Sequence, residues 1–514
     1  MKKFISFKIY GMVLALLTFV SCSDLLDQEP VTITHPDVFW VNQANAEQAV
    51  AGSYALFKEV ILTQGNFLYW GEWTGMTFMD SRNWIVNYIE GSGNYNLAYR
   101  DASRDWKGFY RAANWAFTAQ QYIEGMSDEL FDSVEMKNKL IGEAAFVQAL
   151  SYFYMARIWG DVPIISESLE SIDQLVTEDG FIVTVPRSPE HEVLDFALEA
   201  VEKSISLLEY SSPADPNWAI RANKASAEAL KAHIALWYAS RDNDNTGMIN
   251  EAIAATTNVI NNSGASLIDY TVEGADGVEK MCTGQSETGL FEINISSAYG
   301  ESFRVSTADN NHTGLTLNAP FNRPTVATGA TPVWNADFYG NEMMTMDPDR
   351  TNDIRKDLFF YEYGTTNGTF TMKYAYSSQD PDSEGSYALF SESNILIFRL
   401  ADMYLLRAEA NARLNNGIDA VNDINMVRGK AGVPNYTGAT DRESLMKAIF
   451  DERAIEFVGE AQSGYDRIRM DYFEGVSWAN TARNNKKGYF WPVHPNIIST
   501  NPAIVQTEYW QGKI

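Results

Sequence analysis

The chain has 514 residues, with 67 acidic against 39 basic side chains, a formal charge of −28, and 13 Trp and 26 Tyr. So acidic a surface repels nucleic acid and anionic lipid headgroups, so neither DNA nor RNA is expected as a partner. Two cysteines, and five histidines without a close H-x-x-x-H pair, leave no disulfide framework, no Cys-based metal site and no zinc enzyme to expect, and no cofactor is implied.

In chain order, the first segment is a basic start (Lys2, Lys3, Lys8) followed by about ten apolar or small residues at 11–20. That is the length of a secretory hydrophobic region and too short for a spanning helix, which needs about 20 residues. "FVSC" ends the run at Cys22 and resembles a bacterial lipobox, with Phe19 where Leu is usual. Residues 1–21 are therefore predicted to be a lipoprotein signal peptide, Cys22 the lipidation site and residues 22–36 a lipidated tether. Each buried acyl CH₂ contributes about 0.8 kcal/mol, so a multiply acylated Cys is a durable membrane anchor. Removing residues 1–21 takes away three Lys and no acid, leaving 493 residues at a formal charge of −31. With Cys22 acylated, Cys282 has no partner.

Residues 60–105 then lack helical period and are rich in aromatics, Gly and Asn. Helical period follows in "KNKLIGEAAFVQALSYFYMARIWG", with Ala145, Ala149, Phe153 and Ile158 on one stripe and Gly160 as its stop. "HEVLDFALEAVEKSISLLEY" repeats it through Val193, Ala197, Val201 and Ile205, and "RANKASAEALKAHIALWYAS" and "MINEAIAATTNVINN" form a further pair. "DNDNTGMINEAI" between them opens like an EF-hand at Asp242, Asp244 and Thr246, but Ile253 stands where the bidentate Glu belongs, so it reads as an interhelical loop. Residues 265–390 return to loop-rich sequence with strand-like fragments "LFEINI" and "TFTMKYAY". The last long run, "ILIFRLADMYLLRAEANARLNNGIDAVNDINMVRGKAG", is read as helical from its start, with Ala408 and Ala420 twelve apart across a short turn, as in tetratricopeptide helix pairs. The fold class expected is mainly α: degenerate tetratricopeptide-type helix pairs with large irregular excursions and a few short strands. A plain antiparallel bundle is the alternative. The mature chain reads as one unit, 37–514, with halves at 37–275 and 391–514 around a loop-rich excursion at 276–390.

Several blocks together resemble the SusD/RagB family of Bacteroidetes outer-membrane lipoproteins. "GEAAFVQALSYFYMARIWGDVPII" is similar to its first signature, and "WKGFYRAANWA" fits a further segment through Trp106, Tyr110 and Asn114. "FRLADMYLLRAEANARLN" and "AVNDINMVRGKAGVP" resemble its C-terminal helix pair. "IFDERAIEFVGEAQSGYDRIRM" resembles its charged block through Glu452, Arg453, Glu456, Glu460, Asp466 and Arg469. The closing segment resembles the family's through Pro492, Pro495, Asn501, Pro502, Gln506 and Tyr509. Departures stand at Ser463-Gly464-Tyr465 and Thr507-Glu508. The resemblance implies a non-enzymatic, lipid-anchored surface protein of the outer membrane. It would capture oligosaccharide or polysaccharide and pass it to a SusC-like TonB-dependent transporter. Peptide or glycoprotein capture is an alternative within the family.

A sugar ring offers a C–H face to an aromatic ring and hydroxyls to polar side chains. In "YWGEWTGMTFMDSRNWIVNYIEGSGNYN" the expected binding residues are Trp84 and Tyr88, four apart, with Asp80, Arg82, Asn94 and Tyr95 around them. In the middle excursion they are Tyr299, Arg304 and Trp334. A surface glycoside hydrolase is the reading from another class, with Glu72 and Asp80 as its carboxylates. Glu452, Glu456 and Glu460 invite the same thought, but with Arg453, Arg467 and Arg469 nearby they are expected to be structural ion pairs. No catalytic residue and no metal ligand is expected.

Overall fold

The computed structural model describes residues 39–63, 66–72, 78–79, 103–168, 184–295, 333–334, 350–361, 370–371, 373, 376–379, 389–474, 476 and 478–513. Helix α1 (Gln43–Leu62) begins where the Asn42 side chain accepts the Asn45 amide, which satisfies one of the orphan N–H donors of a helix start. The short α2 (Asn66–Gly71) and strand β1 (Phe78–Met79) follow, then α3 (Lys107–Gly125) and α4 (Val134–Trp159). Next come α5 (Glu190–Leu207), α6 (Lys224–Arg241), α7 (Thr246–Asn262) and α8 (Tyr270–Thr283). α6 opens on a reciprocal cap: Asn223 Oδ1 accepts the Ala225 and Ser226 amides, while Ser226 Oγ accepts the Asn223 amide.

Each helix packs on the next, α1 on α3, α3 on α4, and so on through α7, so a continuous stack of helix pairs forms. The stripe expected on α4 proves too narrow, because every residue from Leu140 to Trp159 is buried. Packing against α1, α3 and α5 encloses this helix, and a helix so enclosed has no polar face to show. It ends at Gly160, as its sequence predicts, with φ at 71°; a Cβ there would meet the Phe490 ring at 2.5 Å.

Beyond α8 run β2 (Gly289–Ile293), β3 (Val333–Trp334), α9 (Arg355–Phe359), β4 (Phe360–Tyr361), β5 (Phe370–Thr371), β6 (Ser377–Gln379), β7 (Leu389–Ser391) and β8 (Ile395–Arg399). "LFEINI" is thus a strand, and among the described residues of "TFTMKYAY" Phe370–Thr371 is one. The run at 395–399, read from sequence as the start of a helix, is a strand instead. It pairs antiparallel with β2, Ile293 opposite Ile395 and Glu292 opposite Leu396, and both strands are buried throughout. A short run of continuous apolar residues, here Ile395 to Phe398, has no period by which to tell strand from buried helix, and the β-branched Ile395 and Ile397 fit the pleat.

Helix α10 (Leu400–Arg413) leaves β8 directly and packs on α7, α11 (Gly417–Lys430) and α12 (Arg442–Glu456). Ala408 and Ala420 meet as expected in a cluster with Ala412, Ile424, Leu445 and Ile449, where small side chains let the helices approach closely. The chain ends in α13 (Ser463–Met470), α14 (Thr481–Asn484) and α15 (Pro495–Thr500). The result is a mainly α scaffold with few, short strands. Gly160→Ala combines a left-handed backbone with overpacking against Phe490, so it is expected to cost about 2–4 kcal/mol in denaturant unfolding.

Candidate functional site

The two loop-rich excursions meet. β1, in the N-terminal one, pairs antiparallel with β3, in the middle one, with Phe78 opposite Trp334 and Met79 opposite Val333. β3 in turn lies beside β5, which pairs with β4. Of the expected binding residues, Trp334 is thereby placed in the backbone register that joins the excursions. Asp80, Arg82, Trp84, Tyr88, Asn94, Tyr95, Tyr299 and Arg304 lie outside the described residues, as do the signal peptide, Cys22 and the tether.

The middle excursion leaves and rejoins the scaffold through a closed stem. Besides the β2–β8 pairing, Asn394 Oδ1 accepts the Ile295 amide at 2.8 Å, and Asn394 Nδ2 donates to Glu292 at 2.9 Å. Gly284, at φ 96°, makes room for that amide: a Cβ would sit 1.8 Å from Asn394 Nδ2. Lys58 of α1 donates to the Asn294 carbonyl at 2.5 Å, and a cavity of about 240 Å³ opens there, lined by Tyr54, Lys58 and Arg221. Glu292 is buried with one oxygen lacking a hydrogen-bond partner among the described residues. Burial pushes its carboxyl up to about 7, against the Asn394 and Gln285 hydrogen bonds and with help from nearby Glu460.

Around α12 the charged block becomes a buried ionic network. Glu452 accepts from Arg350 at 2.8 Å and Arg355 at 2.7 Å; Glu456 accepts from Arg355 and Arg399, both at 2.7 Å. α12 ends at Glu456, so Glu460 sits in the following turn and not on the helical stripe expected. It still binds Arg399 at 2.8 Å and Lys373. The expectation of structural ion pairs holds, but the partners differ from Arg453, Arg467 and Arg469. Adjacent helical residues point about 100° apart, so Arg453 faces away from Glu452. It binds Asp402 at 2.6 Å and Asp466 at 2.8 Å instead. From Asp402 the chain of pairs reaches His233, and from Asp466 it runs through Arg469, Glu409 and Arg413 to Asp244. Arg467 donates to the Tyr472 and Glu474 carbonyls.

Two of the carboxylates suggested for hydrolysis or metal, Glu72 and Asp244, have other work. Glu72 is buried and accepts the Ala461 amide and Ser463 Oγ, both at 2.9 Å, which seats the turn ahead of α13. Asp244, from the EF-hand-like start, binds Arg413 at 2.5 Å and also Arg442, and Asn245 caps α7. The departures from the resembled pattern are absorbed locally: Ser463 holds Glu72, Tyr465 stacks under the Arg157 guanidinium at 4.1 Å, and Thr507 accepts from Arg187. Most of the cations that bind Glu452, Glu456 and Glu460 were missed from sequence. Arg350, Arg355 and Lys373 come from the loop-rich segment, about 80 to 100 residues from the glutamates they bind, where no local spacing links them.

A helical stack that sends out two long excursions and joins them by a strand pair defines a scaffold for presenting loops. Residues 363–510 match the SusD family, and residues 32–236 match a family described as starch-binding and associating with the outer membrane. The chain belongs to the SusD family. It is 24% identical to SusD-like protein P38 of Formosa agariphila over 98% of this chain and 99% of that one. It is 31% identical to the starch-binding protein SusD of Bacteroides thetaiotaomicron over 28% of this chain and 26% of that one. A crystal structure of a SusD homologue from B. thetaiotaomicron superposes with a TM-score of 0.74 at 24% identity, covering 91% of this chain and 98% of that one. NanU of B. fragilis superposes with a TM-score of 0.70 at 21% identity, covering 93% and 99%.

Two pH effects of opposite sign follow. Burial opposes ionisation of Glu456 and Glu409, but Arg399 and Arg355 beside the first, and Arg469 and Arg413 beside the second, hold each at about 2. Their contribution is complete above the unfolded value near 4.5 and is lost as the pH falls toward 2, so thermal stability should drop steeply across that window. The raised Glu292 carboxyl works the other way: between about 4.5 and 7 the unfolded chain ionises while the folded one keeps its proton, and above 7 the folded one ionises only against its burial, so it lowers stability at high pH. Glu292→Gln should therefore raise Tm by roughly 1–3 °C at pH 8, with the gain vanishing toward pH 4.5 in calorimetric scans.

Proposed function

We propose that this protein is a non-enzymatic, glycan-binding surface lipoprotein that captures oligosaccharide or polysaccharide with its two excursions and passes it to a SusC-like TonB-dependent transporter. It is held to the outer membrane by lipid on Cys22 and faces the cell exterior. The β1–β3 pair carries this reading, because it joins the two aromatic-rich segments that sequence chemistry singles out for sugar stacking. Membership of the SusD family, and its likeness to a starch-binding relative, support carbohydrate as the ligand class. Glu72, committed to a turn, is withdrawn from the acid–base pair a hydrolase needs.

Trp84, Tyr88 and Trp334 are assigned as stacking residues, and Asp80, Arg82, Asn94, Tyr95, Tyr299 and Arg304 as hydroxyl partners. Titration calorimetry of residues 23–514 against plant, host and microbial polysaccharides, with reducing ends monitored, tests the proposal. Saturable binding to one class is expected without new reducing ends, weakened by Trp84→Ala or Trp334→Ala by roughly 2–10-fold each, the worth of one aromatic stack. New reducing ends, or binding only to peptides, would contradict it.

A further inference from the structure

The carboxylates on α12 and in the turn after it grip one particular part of the molecule. Arg355 opens α9, which runs directly into β4, and it binds Glu452 and Glu456, both at 2.7 Å. Lys373 lies two residues past the end of β5; it binds Glu460, donates to the Glu456 carbonyl at 2.6 Å and sits 4.2 Å over the Phe359 ring. The β4–β5 pair is thus tied to α12 at both of its outer ends. Arg350 adds a third tie at Glu452, 2.8 Å away. All six of these charged side chains are buried. From β5 the contact passes to β3, and from β3 to β1, where the excursions join.

We propose that Glu452, Glu456 and Glu460 are positioning residues for ligand capture, acting through Arg355 and Lys373 to hold the β4–β5 pair and, through it, the β3–β1 junction in one place. The ligand part of this inference rests on the glycan-binding reading, whereas the mechanical part does not. Charge pairs suit such a task because a buried charge accepts few alternative partners, so a displaced loop finds no second seat as it would on an apolar surface. The second network, from Asp402 through Arg453, Asp466, Arg469 and Glu409 to Arg413 and Asp244, binds helix to helix and touches neither strand pair.

Lys373→Met is the variant of choice, because Arg399 still holds Glu460 at 2.8 Å and no carboxylate is orphaned. Arg413→Met is its control: Glu409 keeps Arg469 and Asp244 keeps Arg442. Hydrogen exchange by mass spectrometry should show Lys373→Met exchanging about tenfold faster or more in peptides covering 360–379, 333–334 and 78–79, with α4 and α6 unchanged. Glycan affinity should weaken by about tenfold alongside. Arg413→Met should lower Tm while leaving both readouts at wild-type values. If Lys373→Met does not fold, Glu460→Gln is judged by the same two readouts. Unchanged exchange at the strand pairs in Lys373→Met, or an equal effect from Arg413→Met, would overturn the proposal. Should the wild-type protein bind no polysaccharide, the glycan reading falls, and the exchange comparison alone decides whether these carboxylates hold the junction.

Discussion

Burying charge is the constraint on which this structure turns. Glu452, Glu456, Arg453 and Arg399 are all nearly without solvent exposure, and a lone charge in such a place costs several kcal/mol. Each must therefore find its counter-ion before the core can close, and the counter-ions come from segments distant in sequence. A pair of this kind adds little net stability over a well-packed apolar pair, while loss of one partner costs about 3–5 kcal/mol. What it confers is uniqueness: Arg399, at the junction of β8 and α10, bridges Glu456 and Glu460 and leaves one arrangement of strand, helix and turn.

The remaining architecture divides labour around that constraint. Helix pairs from α3 to α7 form an apolar stack around α4, buried from Leu140 onward, with Trp159 meeting Trp70, Trp106 and Phe109 at ring distances of 5.8–6.0 Å. The middle excursion leaves it through a stem closed by Asn394 across 99 residues of chain. Long insertions are cheap for stability once their ends are joined, since closure entropy grows only slowly with loop length. Recognition can then vary in the excursions without disturbing the stack.

Helices were legible because their period is local. The stop at Gly160, the small-residue contact of Ala408 with Ala420, and the turn between α6 and α7 all follow from residues within a dozen positions of one another. What the sequence hid is what depends on distant partners. Residues 395–399 carry no period, and only β2, about a hundred residues earlier, makes them a strand. Glu452, Glu456 and Glu460 are recognisably ion-pairing carboxylates, yet nearness in sequence pointed to Arg453, Arg467 and Arg469, and helix geometry sends those elsewhere. Glu72 looked free in an aromatic stretch because its partners, Ala461 and Ser463, lie nearly 400 residues on. For the candidate site, composition singled out both excursions, whereas their meeting at Phe78 and Trp334 needed the fold.

The most direct test is a crystal structure of residues 23–514 bound to an oligosaccharide from the polysaccharide class it recognises. The account predicts density for the sugar at the junction of the two excursions, within contact of Trp334 or of the 80–95 segment. Density seated on the helical scaffold, away from both excursions, would contradict it.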